Sequence, residues 1–80
     1  MTAPLLIDAA GYRCPMPVLL MERALRRALP GAEIKILTDD PLAAVDIPHF
    51  ARGAGARVRR LPDEGGACAF LVTAGPKPAR

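Results

Sequence analysis

Chain punctuation constrains this sequence more than any other feature. Nine prolines and seven glycines are spread through 80 residues. Such residues break regular structure, so the chain can hold only short strands and helices of a few turns. Pro4 precedes a short first strand, residues 5–8, and Gly11 marks the turn over residues 9–13. A helix is expected to begin at Pro15. Val18, Met21, Leu25 and Ala28 recur on it at helical spacing, with Glu22, Arg23, Arg26 and Arg27 on the other side. Pro30-Gly31 stops it. Residues 32–37 alternate apolar and charged, as a half-buried strand does.

Asp39-Asp40-Pro41 reads as an aspartate N-cap with proline at the first helical position. Leu42, Val45, Ile47, Phe50 and Ala51 continue as an apolar helix face up to Arg52. Pro48 falls inside it, which predicts a kink or two short pieces. Gly53 and Gly55 end this helix. A basic strand follows over residues 56–61, then a hairpin loop from Pro62 to Gly66. Residues 67–73 are apolar on both faces, which predicts a central strand. Residues 74–80 are expected to form a mobile tail.

The order is β-α-β-α-β-β. Strand-helix-strand crossovers are right-handed, so both helices fall on one face of the sheet. The expected fold class is α+β: a two-layer sandwich with a four-stranded mixed sheet. It forms a single domain over residues 1–80, with an ordered core of about residues 4–73. The other sheet face would be open and would carry Glu33, Lys35, Arg57 and Arg59.

Composition excludes several classes. The chain is 51% hydrophobic and 24% charged, which is globular rather than disordered. A chain of this size buries roughly 60–65% of its unfolded surface, so a large enclosed substrate cavity is not expected. No apolar run approaches the ~20 residues of a membrane span. Leu5-Leu6-Ile7 is too short for a signal-peptide core, so a cytoplasmic location is expected. Two cysteines, Cys14 and Cys68, are too few for a secreted disulfide scaffold. With one histidine, His49, no metal or cofactor site is indicated. The net charge of +3 comes almost wholly from arginine and suits an acidic partner or a nucleic acid.

The informative segment is Arg13-Cys14-Pro15-Met16-Pro17. Pro15 disfavours a helical conformation at Cys14, which places the cysteine at the N-cap and Pro15 at the first helical position. The helix dipole and Arg13 are then expected to lower the thiol pKa towards neutrality. Pro15 and Pro17 remove two free N–H donors from the helix start, which disfavours phosphate binding there. Their rings stiffen the turn that presents the sulfur. A redox CxxC is excluded, because Pro17 stands three residues after Cys14.

These residues resemble a known family. Asp8, Gly11 and the Cys-Pro-Met-Pro-Val segment from Cys14 to Val18 look like the signature of the TusA/SirA/YedF family of small sulfur carriers. Asp39-Asp40-Pro41 and Asp46-Ile47-Pro48-His49-Phe50 match a second family block, and the resemblance runs from about Leu6 to Thr73. It implies the same β-α-β-α-β-β sandwich and a persulfide carrier. Cys14 falls on the family's motif cysteine. It would take a sulfane sulfur from a cysteine desulfurase or rhodanese-type donor and hand it to an acceptor protein. Family pathways include tRNA thio-modification, molybdenum cofactor maturation and sulfur oxidation. Many members carry a second cysteine after the aromatic residue of the second block. Here Ala51 stands there, so one-thiol chemistry is expected.

In that mechanism Arg13 and the helix end stabilise an anionic sulfur, and Met16 lines the approach. Arg23, Arg26 and Arg27 are candidate docking residues for acidic partner surfaces. A carrier that presents one thiol to successive partners works best as a monomer. Two alternatives differ in class. A redox-sensing regulatory protein would use Cys14 as a low-pKa thiol. A nucleic-acid-binding module would use Arg57, Arg59 and Arg60. It is less favoured because only Tyr12, Phe50 and Phe70 offer rings, and Phe50 and Phe70 read as buried.

Overall fold

The computed structural model describes residues 4–76. The elements are β1 (Leu5–Asp8), α1 (Met16–Arg27), β2 (Glu33–Thr38), α2 (Pro41–Gly53), β3 (Arg57–Glu64) and β4 (Ala67–Thr73). The sheet order is β1-β2-β4-β3. β1 runs parallel to β2, while β4 is antiparallel to both β2 and β3. The fold is α+β, with two helices on a four-stranded mixed sheet, and β4 is central as its apolar faces required.

Pairing register assigns the faces. Ile34 lies opposite Val72 and Ile36 opposite Phe70, and all four pack in the core. Their neighbours Glu33 and Lys35 therefore face away, as do Arg57 and Arg59 on β3. On that side a Lys35–Glu64 ion pair spans β4. Met21, Ile34, Ile36, Ile47 and Val72 are fully buried. Truncating one of them to alanine would cost about 2–5 kcal/mol.

Four expectations need correction. α2 is a single helix with Pro48 inside it, not two short pieces. The proline removes one N–H, and the neighbouring turns hold. The buried stripe of α2 is Ala43, Ile47 and Ala51, at a spacing of four. Of the expected face, Ile47 and Ala51 are buried, while Leu42, Val45 and Phe50 are exposed and Ala43 takes the remaining buried position. β3 extends to Glu64, beyond the expected end at Leu61. A register shift between Leu61 and Glu64 admits Pro62 on this edge strand, where its missing donor is tolerated. The hairpin then closes through Gly65 and Gly66, both at positive φ (55° and 83°).

At the other end of β4, Ala74 is buried and exchanges backbone hydrogen bonds with Gly31 and Ala32. The rest of the expected tail, from residue 77 on, lies outside the described residues.

Candidate functional site

Parallel pairing of β1 and β2 brings their C-terminal ends together. The loop after β1 carries Cys14, and the junction after β2 carries Asp39 and Asp40. The two are linked by main-chain hydrogen bonds to carboxylates. Gly11 N–H donates to Asp39 Oδ1 (3.0 Å), and Cys14 N–H donates to an Asp40 carboxylate oxygen. The other Asp40 oxygen caps α2 by accepting from Leu42 N–H (3.1 Å). Asp40 is itself fixed, because its N–H donates to the hydroxyl of Thr38, a fully buried residue (3.2 Å). A continuous chain of contacts thus runs from the end of the core to the cysteine backbone.

The cysteine turn differs from the expected one. The Cys14–Pro15 peptide is cis, and Met16 N–H donates to the Arg13 carbonyl (2.8 Å). Pro15 is the N-cap of α1, not its first helical residue, and no side chain caps this helix. Cys14 stands one residue further out, before the cap. Pro17 is buried and brings no donor, and the N–H of Met16 is already paired within the turn. Little of the helix N-terminus is left to solvate an anion at the sulfur.

The Cys14 thiol is half-buried and unbridged. It donates to Asp46 Oδ2 at 3.2 Å, across the gap between the cysteine turn and α2. The thiol pKa is consequently raised, not lowered as expected. The hydrogen bond to Asp46 is the largest cause, followed by desolvation and by the negative charges of Asp46 and Asp40. The expectation rested on the dipole of α1 and on Arg13 alone. The groups that raise the pKa lie across the gap, in Asp46 of α2 and Asp40 at its cap.

Among the residues singled out in the sequence, Arg13, Pro15, Met16 and Pro17 flank Cys14 along the chain in this turn. Met16 is exposed (41%), so it is not a core residue. Arg23, Arg26 and Arg27 lie exposed on the C-terminal half of α1. At 1.5 Å per residue, Arg23 is about 12 Å along the helix from Pro15, and the structure does not bring these arginines to the sulfur. His49 stacks edge-on to Phe50 (5.3 Å between ring centres, 84°) and borders a groove with Glu22 and Arg52. Phe50 is 42% exposed, contrary to the reading of it as buried.

Cys68 faces a different group. Arg60 Nη2 lies 3.3 Å from its sulfur and 2.8 Å from Asp63 Oδ1, with the guanidinium over the Phe70 ring. Among the described residues, no cluster of three or more His, Cys, Asp or Glu side chains could hold a metal ion. No helix there is long and apolar enough to cross a membrane.

Sequence reasoning missed Asp46 as a partner of Cys14 and saw in Asp40 only a cap. A usable signal existed. In a sheet with parallel neighbours, the loops after those strands share one end, so Asp39-Asp40 and Cys14 had to meet there.

Residues 6–74 match the family described as Sulfurtransferase TusA. This chain belongs to that family. The match spans both the cysteine turn and the Asp46-Ile47-Pro48 block, the two segments that meet at the sulfur. A solved structure, the SirA-like protein from Desulfitobacterium hafniense, is similar in fold and sequence. Its TM-score is 0.79 at 28% identity, covering 89% of this chain and 97% of the other. Membership in the TusA family implies a sulfurtransferase or sulfur-carrier class of activity for the chain.

Proposed function

We propose that this TusA-family chain is a persulfide carrier whose only working thiol is Cys14. It takes a sulfane sulfur from a donor protein of cysteine desulfurase or rhodanese type and passes it to an acceptor protein in a sulfur relay. The observation that supports this reading most is the placement of Cys14. It is a free, half-exposed thiol on a turn pinned by carboxylates at its backbone, at the edge of the molecule where two helices begin. Such a sulfur can reach into a partner's site without the carrier unfolding.

The exchange balances without an oxidant. Cys14 attacks the terminal sulfur of a donor persulfide, R–S–SH. The new Cys14 S–S bond forms as the donor's S–S bond breaks, and the donor leaves as R–SH after taking the Cys14 proton. The product is Cys14–S–SH, a reversible cap on the thiol, and an acceptor thiol removes it by the same step. Arg13 and Met16 border the approach. Arg23, Arg26 and Arg27 supply a cationic helix face for acidic partner surfaces, remote from the chemistry. The carrier works as a monomer in the cytoplasm. Redox sensing is less favoured, because it wants an exposed thiol of low pKa and Asp46 acts in the opposite sense.

The test is intact mass after incubation with a cysteine desulfurase and cysteine, and separately with a rhodanese and thiosulfate. The native chain and Cys68→Ser should each gain one reductant-removable sulfur, and Cys14→Ala none. Loading that persists in Cys14→Ala would overturn the assignment.

A further inference from the structure

The contact between Cys14 and Asp46 has no obvious place in a carrier whose sulfur must ionise to react. A carboxylate is an acceptor only, so the bond exists only while the sulfur bears its proton. The groups around the sulfur do not balance Asp46. Asp40 adds a second carboxylate from the cap of α2, and Asp39 a third at the loop backbone. The first turn of α1, Met16-Pro17-Val18-Leu19, brings no charged side chain. Arg13 is the one cation next to the cysteine in the turn, and it is exposed.

We propose that Asp46 is a positioning residue that locks resting Cys14 as a neutral thiol held against α2, and that the lock opens when a partner presents a cation to Asp46. This rests on the carrier reading for its biological use, though not for its chemistry. At rest, the sulfur is hydrogen-bonded, directed to one side and poor in thiolate, so stray oxidants and electrophiles find little to attack. When a donor's lysine, arginine or protonated histidine pairs with Asp46, the acceptor is lost and the thiol is free to ionise. The proton then leaves to the donor's departing thiolate, as in the exchange above. After transfer, Cys14–S–SH releases its proton to solvent, and the terminal sulfur of Cys14–S–S⁻ is then an anion beside Asp46 and Asp40. Their repulsion favours its onward delivery.

The lock can be read with iodoacetamide, which needs no sulfur donor. Alkylation of Cys14 would be followed by intact mass in a Cys68→Ser background across a pH series. Thiolate population rises tenfold for each unit that a thiol pKa falls, while nucleophilicity falls with a Brønsted slope near 0.4–0.5, so about a threefold gain in rate per unit survives. Asp46→Asn should shift the midpoint of the pH–rate profile downward and raise the rate near neutral pH, by about threefold for each unit that the midpoint moves. Asp46→Glu should restore part of the native profile. Asp46→Ala, favoured by helix propensity and thus safe for folding, should shift the profile in the same direction as Asp46→Asn. Midpoints unmoved in both Asp46→Asn and Asp46→Ala would overturn the proposal. The sulfur-loading assay separates the two readings. A chain that loads sulfur normally but shows no shift keeps its carrier function and loses the lock. A chain that shows the shift but never loads sulfur keeps the lock and loses the carrier function.

Discussion

Two helices begin side by side, after parallel strands β1 and β2, and each has proline in its first turn. They are finished in opposite ways. α2 has an aspartate cap with an accepting side chain, extended backbone at the cap, and proline at a position that needs no donor. α1 has no side-chain cap; Pro15 occupies the cap position, and Met16 N–H is turned back on Arg13. α2 is a closed stability device, whereas the start of α1 is left open as a platform for a thiol. The open start borrows its rigidity from the closed one, because Asp40 serves both. A helix start can forgo its own cap when the neighbouring helix holds the backbone before it.

The sharpest way to break this comparison is to remove the shared residue. Asp40→Ala deletes a cap worth about 1 kcal/mol. It also deletes a charge-assisted bond to Cys14 N–H of about 1.5–3 kcal/mol. The expected loss is about 2.5–4 kcal/mol, or a Tm drop on the order of 10–30 °C for a domain of this size. Asp40→Asn keeps an acceptor and should lose less than half of that. If a thermal melt shows Asp40→Ala to be no worse than an ordinary cap deletion, the coupling between the two helix starts is absent.

The cysteine loop offers a milder perturbation. Gly11 sits at φ 89°, with open space where a Cβ would point, so only its backbone conformation resists substitution. Gly11→Ala should cost about 1–2 kcal/mol, a Tm drop of about 4–16 °C. Asp39, which accepts from Gly11 N–H, should lose its grip in part. The start of α2 should be unaffected, and hydrogen exchange at Leu42 N–H checks this. Loss of protection there would mean that the two starts unfold as one unit rather than one leaning on the other.

The legible and illegible parts of the sequence divide along the same line. Elements marked by their own residues were readable: the alternation from Glu33 to Leu37, the Pro30-Gly31 stop, and the Asp40-Pro41 start. The face of α2 was legible in part: the spacing places Ile47 and Ala51 inward, as found, but it also places Leu42, Val45 and Phe50 inward and passes over Ala43. Hydrophobicity favoured the larger side chains, but close packing placed the small Ala43 and Ala51 on either side of Ile47 in the buried stripe. At the site, Cys14 was legible because a cysteine between an arginine and a proline is a local pattern. The sign of its pKa shift was not, because it is set by Asp46, 32 residues away in sequence. A dipole argument made within one helix cannot see a carboxylate on the next.

The smallest effect tests that sign from the side of stability. The folded Cys14 pKa lies above its ordinary value of 9.0, while in the unfolded chain the thiol keeps that ordinary value. Below it the thiol is protonated in both states, and the contribution of the Asp46 bond is fully present. As pH climbs through the unfolded value and on to the raised folded one, the unfolded chain releases its proton first. The contribution is then lost. The Tm advantage of the native chain over Cys14→Ser should therefore shrink as pH rises above about 9.0. In an Asp46→Asn background the two melting curves should move in parallel. An advantage that grows with pH would mean a thiol acidified by folding, as the dipole of α1 alone would make it, and would show that the open helix start governs its own sulfur after all.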